Sequence, residues 1–174
     1  TMLEVRKITG IRPNDWEVVD RAFDSVESQK IACCNWADEY PYTPDVRFRM
    51  FHTGDYLMVR FDVAERYTAA LVDEDNGRVW TDSCVEIFIA PDEETYYNFE
   101  TSCIGHMLLG AHRQGEKAVP ASAEVLAGVK RHTSLPSTPF EERVGDNRWH
   151  VVLAIPPQAL FQHDLKDWSG MEIR

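Results

Sequence analysis

The stretch Tyr56-Leu57-Met58-Val59-Arg60-Phe61-Asp62-Val63 alternates strictly: Leu57, Val59, Phe61 and Val63 share one face of an extended chain, and Tyr56, Met58, Arg60 and Asp62 share the other. A period of two is the mark of a strand with one buried face. The same period recurs along the chain. Residues 84–90 set Val85, Ile87 and Ile89 against Cys84, Glu86 and Phe88, and residues 96–103 set Tyr97, Phe99, Thr101 and Cys103 against Tyr96, Asn98, Glu100 and Ser102. Near the end Trp149, Val151, Leu153 and Ile155 alternate with His150, Val152 and Ala154 until Pro156-Pro157 stops the run. Shorter strands are expected at 3–8, 46–52, 107–112, 129–134 and 171–174.

Turn-forming residues separate these runs: His52-Thr53-Gly54-Asp55, Asp75-Asn76-Gly77, Pro91-Asp92-Glu93 and Gly145-Asp146-Asn147. Helical spacing is scarce. Trp16, Val19, Phe23 and Val26 predict one helix over 15–26, residues 157–162 suit a single turn, and 115–128 reads as a long loop or short helix. The expectation is an all-β fold, a sandwich of two antiparallel sheets of immunoglobulin-like or jelly-roll-like kind with few short helices. With no internal repeat and no linker, residues 1–174 read as a single domain.

The composition narrows the function classes. Of 174 residues 44% are hydrophobic and 11% aromatic, enough for a core. Eighteen basic against 29 acidic side chains leave a net charge of −11. That balance argues against nucleic acid, whose affinity rests on Lys and Arg, and against an anionic membrane. No stretch reaches the ~18–20 apolar residues of a membrane helix. Thr1 precedes Met2: with Met2 as the native start the protein is cytoplasmic, and with a leader removed it is secreted or periplasmic. Cys33, Cys34, Cys84 and Cys103 form no CxxC and read as small buried or half-buried thiols.

The second face of the strands is the informative one. Arg60, Glu86, Asn98 and Glu100 all fall on the parity opposite the core, so neighbouring strands would gather them beside Met58 and Phe88. A solvated outer face is the plain alternative. Trp80 stands six residues before Glu86, where the Asp75-Asn76-Gly77 turn ends. An aromatic ring at a strand mouth beside a carboxylate suits a sugar, the ring packing on C–H bonds while Glu, Asn and Arg meet hydroxyls. Burial at one end of the sandwich is the commoner fate of a tryptophan.

The string Asp75-Asn76-Gly77-Arg78-Val79-Trp80-Thr81-Asp82-Ser83-Cys84-Val85-Glu86-Ile87-Phe88-Ile89 resembles the signature of carbohydrate-binding modules of family 9, found attached to xylanases and as stand-alone bacterial proteins. The resemblance extends through Asn35-Trp36, Tyr40-Pro41-Tyr42-Thr43-Pro44, Tyr96-Tyr97-Asn98-Phe99-Glu100, Cys103-Ile104-Gly105, Trp149 and Ala154-Ile155-Pro156, about residues 33 to 160. It implies a β-sandwich that grips a terminal mono- or disaccharide between two tryptophans. Trp80 matches the first tryptophan and Glu86 the acid that bonds the hydroxyls, with Asn98, Glu100 and Arg60 as further polar contacts. It also implies structural calcium, for which Asp73 and Asp75 are the candidate ligands, although Asp73-Glu74-Asp75 lacks EF-hand spacing. The family's second tryptophan lies near the C-terminus of a longer module. Trp168 is the late tryptophan here and matches that position poorly, so three alternatives stand: another residue supplies the second wall, the chain is cut short of the module's closing residues, or this relative does without the aromatic clamp.

The function implied is non-catalytic binding of an oligosaccharide or the end of a xylan or glucan chain, in carbohydrate catabolism and alongside hydrolases such as endo-1,4-β-xylanase. Two alternatives stand beside it. Glu86 and Glu100 share a parity and could satisfy the carboxyl spacing of a retaining or an inverting glycosidase if their strands are adjacent. Exposed Tyr40, Tyr42, Tyr67 and Tyr96 would suit a protein-interaction sandwich whose sugar site has decayed. Six scattered histidines form no zinc motif, and no nucleophile elbow, phosphate loop or dinucleotide glycine run is present.

Overall fold

A computed structural model describes residues 2–174. Ten strands run in chain order: β1 (Arg6–Lys7), β2 (Gln29–Lys30), β3 (Asp45–His52), β4 (Leu57–Ala70), β5 (Cys84–Ile89), β6 (Thr95–Ser102), β7 (Met107–Arg113), β8 (Val119–Pro120), β9 (Lys130–Thr133) and β10 (Phe140–Ile155). They form a six-stranded sheet, ordered β1-β3-β4-β10-β9 with β2 also on β3, and a four-stranded sheet ordered β5-β6-β7-β8. Apart from the parallel β1–β3 pair the neighbours are antiparallel.

The alternating residues do what their parity requires. Leu57, Val59, Phe61 and Val63 meet Val85, Ile89, Tyr97, Phe99, Leu109 and the β10 set from Trp149 to Ile155 in one buried cluster between the sheets. This is the β-sandwich expected from the period of two. The opposite face of β4 has a second use. Met58, with Phe51, Val152 and Ala154, is covered by the helix α1 (Trp16–Asp24) through Val19 and Phe23. That helix begins at Asp15, whose carboxylate accepts from the Val18 N–H.

Several boundaries differ from the sequence reading. Gly145-Asp146-Asn147 is no turn; it is absorbed into β10 as an irregularity in the register with β4. The 3–8 strand shrinks to Arg6–Lys7. Residues 171–174 form no strand, although Arg174 and Ala90 exchange two backbone hydrogen bonds. Cys33 and Cys34 are exposed, contrary to the buried thiols expected, because they lie in the irregular segment before β3. Cys84 is half-buried and Cys103 buried. No helix among the described residues is long and apolar enough to cross a membrane.

Candidate functional site

Strand register decides which polar residues meet. Across β5 and β6 the partners are Cys84–Ser102, Glu86–Glu100 and Phe88–Asn98; across β6 and β7 they are Glu100–Leu108, Asn98–Gly110 and Tyr96–His112. The intervening Val85, Ile89, Tyr97, Phe99, Thr101, Leu109 and Ala111 are buried towards the core. Hence Glu86, Phe88, Tyr96, Asn98, Glu100 and His112 stand on the outer face of the four-stranded sheet.

Glu86 and Glu100 are directly opposed. Asn98 donates from Nδ2 to Glu100 Oε1 at 2.7 Å, while Glu100 Oε2 and Asn98 Oδ1 are buried and have no partner. Loss of hydration raises the Glu86 pKa above the usual carboxylate range. Glu100 is raised by burial and then by the Glu86 charge, against the opposing pull of the Asn98 amide. Two like charges on paired strand positions repel, so the pair favours holding a proton or receiving a donor. Hydroxyl groups are such donors.

Trp80 lies at the Cys84 end of this face, in a 3-10 turn (Val79–Thr81) that packs on β6. Its ring is 50% exposed, and the Arg78 guanidinium sits 5.5 Å from its centre. The turn is pinned on both sides. Asp82 accepts from the Leu71 and Val72 N–H groups at 3.0 and 2.9 Å, and the Ser83 hydroxyl accepts from the Ala69 N–H at 3.1 Å. Upstream, Asn76 accepts from the Leu109 N–H and donates to the Ala121 carbonyl, with its own backbone at a left-handed φ of 57°. Within the quoted signature, Asp82 and Ser83 therefore hold the turn, and Trp80 is what the turn presents.

Arg60 does not join this face. It belongs to β4 in the other sheet, on the outer side, where it is paired with Asp62 at 2.9 Å and with Asp20 of α1 at 2.9 Å. Burial opposes its charge, but these carboxylates outweigh it and its pKa rises. Equal parity on two strands brings side chains together only within one sheet, and β4 and β5 lie in different sheets.

The acidic run fits calcium poorly. Both Asp75 oxygens are taken by Arg131, at 2.7 and 2.9 Å, and Asp75 also accepts from the Met107 N–H. Although burial works the other way, the Arg131 hydrogen bonds lower the Asp75 pKa, and Asp73 meets only His106. Among the described residues no group of three His, Cys, Asp or Glu is placed to hold a metal.

Trp168 is 5% exposed and donates from Nε1 to the Ile155 carbonyl at 2.9 Å, so it is a core residue and not a wall facing Trp80. A slot of about 1010 Å³ opens between the β5 edge and the six-stranded sheet, lined by Phe48, Met50, Phe61, Ile87 and Ile89 and also by Glu86 and Phe88. Its lining is chiefly apolar, with Glu86 among its polar groups. Tyr42 and Tyr67 pack edge to face at 5.9 Å, and the Tyr42 hydroxyl accepts from the Arg66 N–H, forming a separate exposed aromatic group.

Sequence reasoning left the ring group Phe88–Tyr96–His112 unassembled. Tyr96 and His112 stack at 4.7 Å with planes 4° apart, and Phe88 lies 6.1 Å from Tyr96. Parity gave Phe88 and Tyr96 their face; the β6–β7 register that adds His112 has no signature in the residue order.

A family model for carbohydrate-binding family 9 matches residues 17–174. Among solved structures, the crystal structure of a candidate carbohydrate-binding protein from Bacteroides uniformis resembles this chain with a TM-score of 0.93 and 40% identity; the match covers 98% of this chain and 79% of that one. No protein with a curated description matches.

Proposed function

The chain belongs to carbohydrate-binding family 9, and from that premise we propose that it binds, without cutting, an oligosaccharide or the end of a β-glycan of xylan or glucan type. Trp80 is the stacking platform, Glu86 the hydroxyl acceptor, and Glu100 and Asn98 complete the polar floor. The role falls within carbohydrate catabolism, beside glycoside hydrolases that release or shorten such chains.

One observation carries this reading: the outer face of the four-stranded sheet pairs two opposed carboxyls with an amide whose oxygen is unpartnered, and the half-exposed Trp80 lies in the turn that leads into β5. Glu86 and Glu100 rise from adjacent strands of one sheet, which the glycoside hydrolase reading also requires, so turnover is what separates the two readings. The net charge of −11 suits a neutral sugar better than an acidic polymer.

Glycan-array screening tests the reading, with β-1,4-linked gluco- and xylo-oligosaccharides as the expected hits. Release of shorter sugars from those hits, lost in both Glu86→Gln and Glu100→Gln, would support the hydrolase instead.

A further inference from the structure

Resting on that carbohydrate reading, we propose that Phe88, buttressed by Tyr96 and His112, is a second sugar platform, so that the outer face takes an oligosaccharide of two or more units lying along β5 and not a single terminal ring.

The order of side chains along the sheet carries the proposal. From the Trp80 end the face runs through the Glu86–Glu100 row, the Phe88–Asn98 row and then the Tyr96–His112 row. Successive rows on one face stand two residues apart, about 7 Å along a strand, a step of the order of one sugar ring. A chain whose first ring meets Trp80 and Glu86 therefore reaches Phe88 with its second.

What that second ring would meet is already built. Phe88 is 56% exposed, the commonest reason for which on an edge strand would be chance, but its surroundings are ordered. Tyr96 leans beside it, and His112 fixes Tyr96 by near-parallel stacking at 4.7 Å. Gly110 leaves room beside that stack, since a Cβ there would stand 3.3 Å from His112 Nε2, a tight contact. Asn98, paired with Phe88 across the strands, donates one amide hydrogen to Glu100 and keeps an unpartnered oxygen. A small side-chain movement would turn that oxygen towards a hydroxyl, relieving a buried acceptor that costs free energy as it stands. Three rings side by side with one orphaned acceptor are the pairing of apolar surface and polar group that a pyranose uses.

Titration of the intact protein with β-1,4-linked gluco- and xylo-oligosaccharides of one to six units is the test. In the wild type, affinity should rise about tenfold from one unit to two or three and then level off, the factor expected when one further ring face leaves water. Phe88→Ala should abolish that rise and leave monosaccharide affinity unchanged. Tyr96→Ala should reduce it, and the His112 imidazole resonances should shift with trisaccharide but not with monosaccharide. A flat length series in the wild type, or a rise that survives Phe88→Ala, overturns the second platform while leaving Trp80-dependent binding intact. Failure of every sugar to bind counts against the carbohydrate reading itself, and the second platform falls with it.

Discussion

Glu86 and Glu100 face one another across β5 and β6, and both carboxyls are held above their ordinary pKa, Glu86 by lost hydration and Glu100 by burial and then by its neighbour's charge. A pair whose ionised form is disfavoured costs the fold stability for as long as no ligand donates to it. The pair stands on the outer face of the four-stranded sheet, where a ligand could relieve this cost.

The pH dependence follows from the sign of these shifts. Below the ordinary carboxylate range, folded and unfolded chains both hold the protons and the pair costs nothing. As pH rises through that range the unfolded chain ionises first, and stability falls until the raised folded pKa values are passed. Although the part due to lost hydration of Glu86 remains, Glu100→Gln removes the Glu100 share of the effect. Its melting temperature should exceed the wild type by a few degrees at neutral pH, about 2–4 °C per kcal/mol for a chain of this size. The difference should vanish near pH 4. An equal offset at both pH values would show that the gain is not electrostatic.

Asp92 runs in the opposite direction. The His163 hydrogen bond, backed by the Thr95 and Glu94 N–H groups, holds its pKa down at about 2. His163 Nε2 donates to Asp92 at 2.6 Å, which leaves Nδ1 to accept from the Tyr97 hydroxyl, also at 2.6 Å. The stability this link contributes is present above the ordinary aspartate range and is lost as pH falls towards 2. His163→Phe should therefore lower the melting temperature at pH 7 and have a shrinking effect as the solution is acidified below pH 4.

Trp80 and Trp168 should separate cleanly. Trp168→Ala empties a core position and orphans the Ile155 carbonyl, and should cost about 3–5 kcal/mol by chemical denaturation. Trp80→Ala removes a half-exposed ring and should change stability by no more than about 0.5 kcal/mol. Comparable losses from both would mean that Trp80 is a packing residue.

Thiol reactivity checks the corrected cysteine assignment. Cys33 and Cys34 are exposed, whereas burial pushes Cys84 and Cys103 up to about 12. A thiol reagent at pH 8 should titrate two groups quickly in the native protein and all four after unfolding. Four fast groups in the native state would place Cys84 and Cys103 in a looser sheet than described.

Calcium should leave the melting temperature unchanged, because Arg131 already neutralises Asp75. Arg131→Ala, by contrast, should destabilise the protein, since it leaves a half-buried carboxylate without its partner. A calcium-dependent rise in the wild type would overturn this assignment.

The sandwich was legible because period two marked the core strands and most of the turn signals and Pro156-Pro157 fell where strands end. The Asp75–Ile89 signature likewise pointed to the family whose model matches residues 17–174. What residue order did not reveal was sheet membership. Arg60 has the same parity as Glu86, but β4 and β5 lie in different sheets, and α1 claims Arg60 through Asp20. Gly145 misled in a similar way: a turn-forming triplet was overridden by the long β4–β10 ladder, which takes it up as an irregularity. Both failures concern long-range pairing, which local pattern does not encode.

Calorimetric titration of the best array-selected oligosaccharide into wild type and Trp80→Ala, each checked for unaltered unfolding, tests the central claim most directly. Saturable binding by the wild type that disappears in a fully folded Trp80→Ala is the expected result. Undiminished binding by the variant, or a variant that binds poorly because it has lost its fold, would contradict a sugar site built on Trp80 and Glu86.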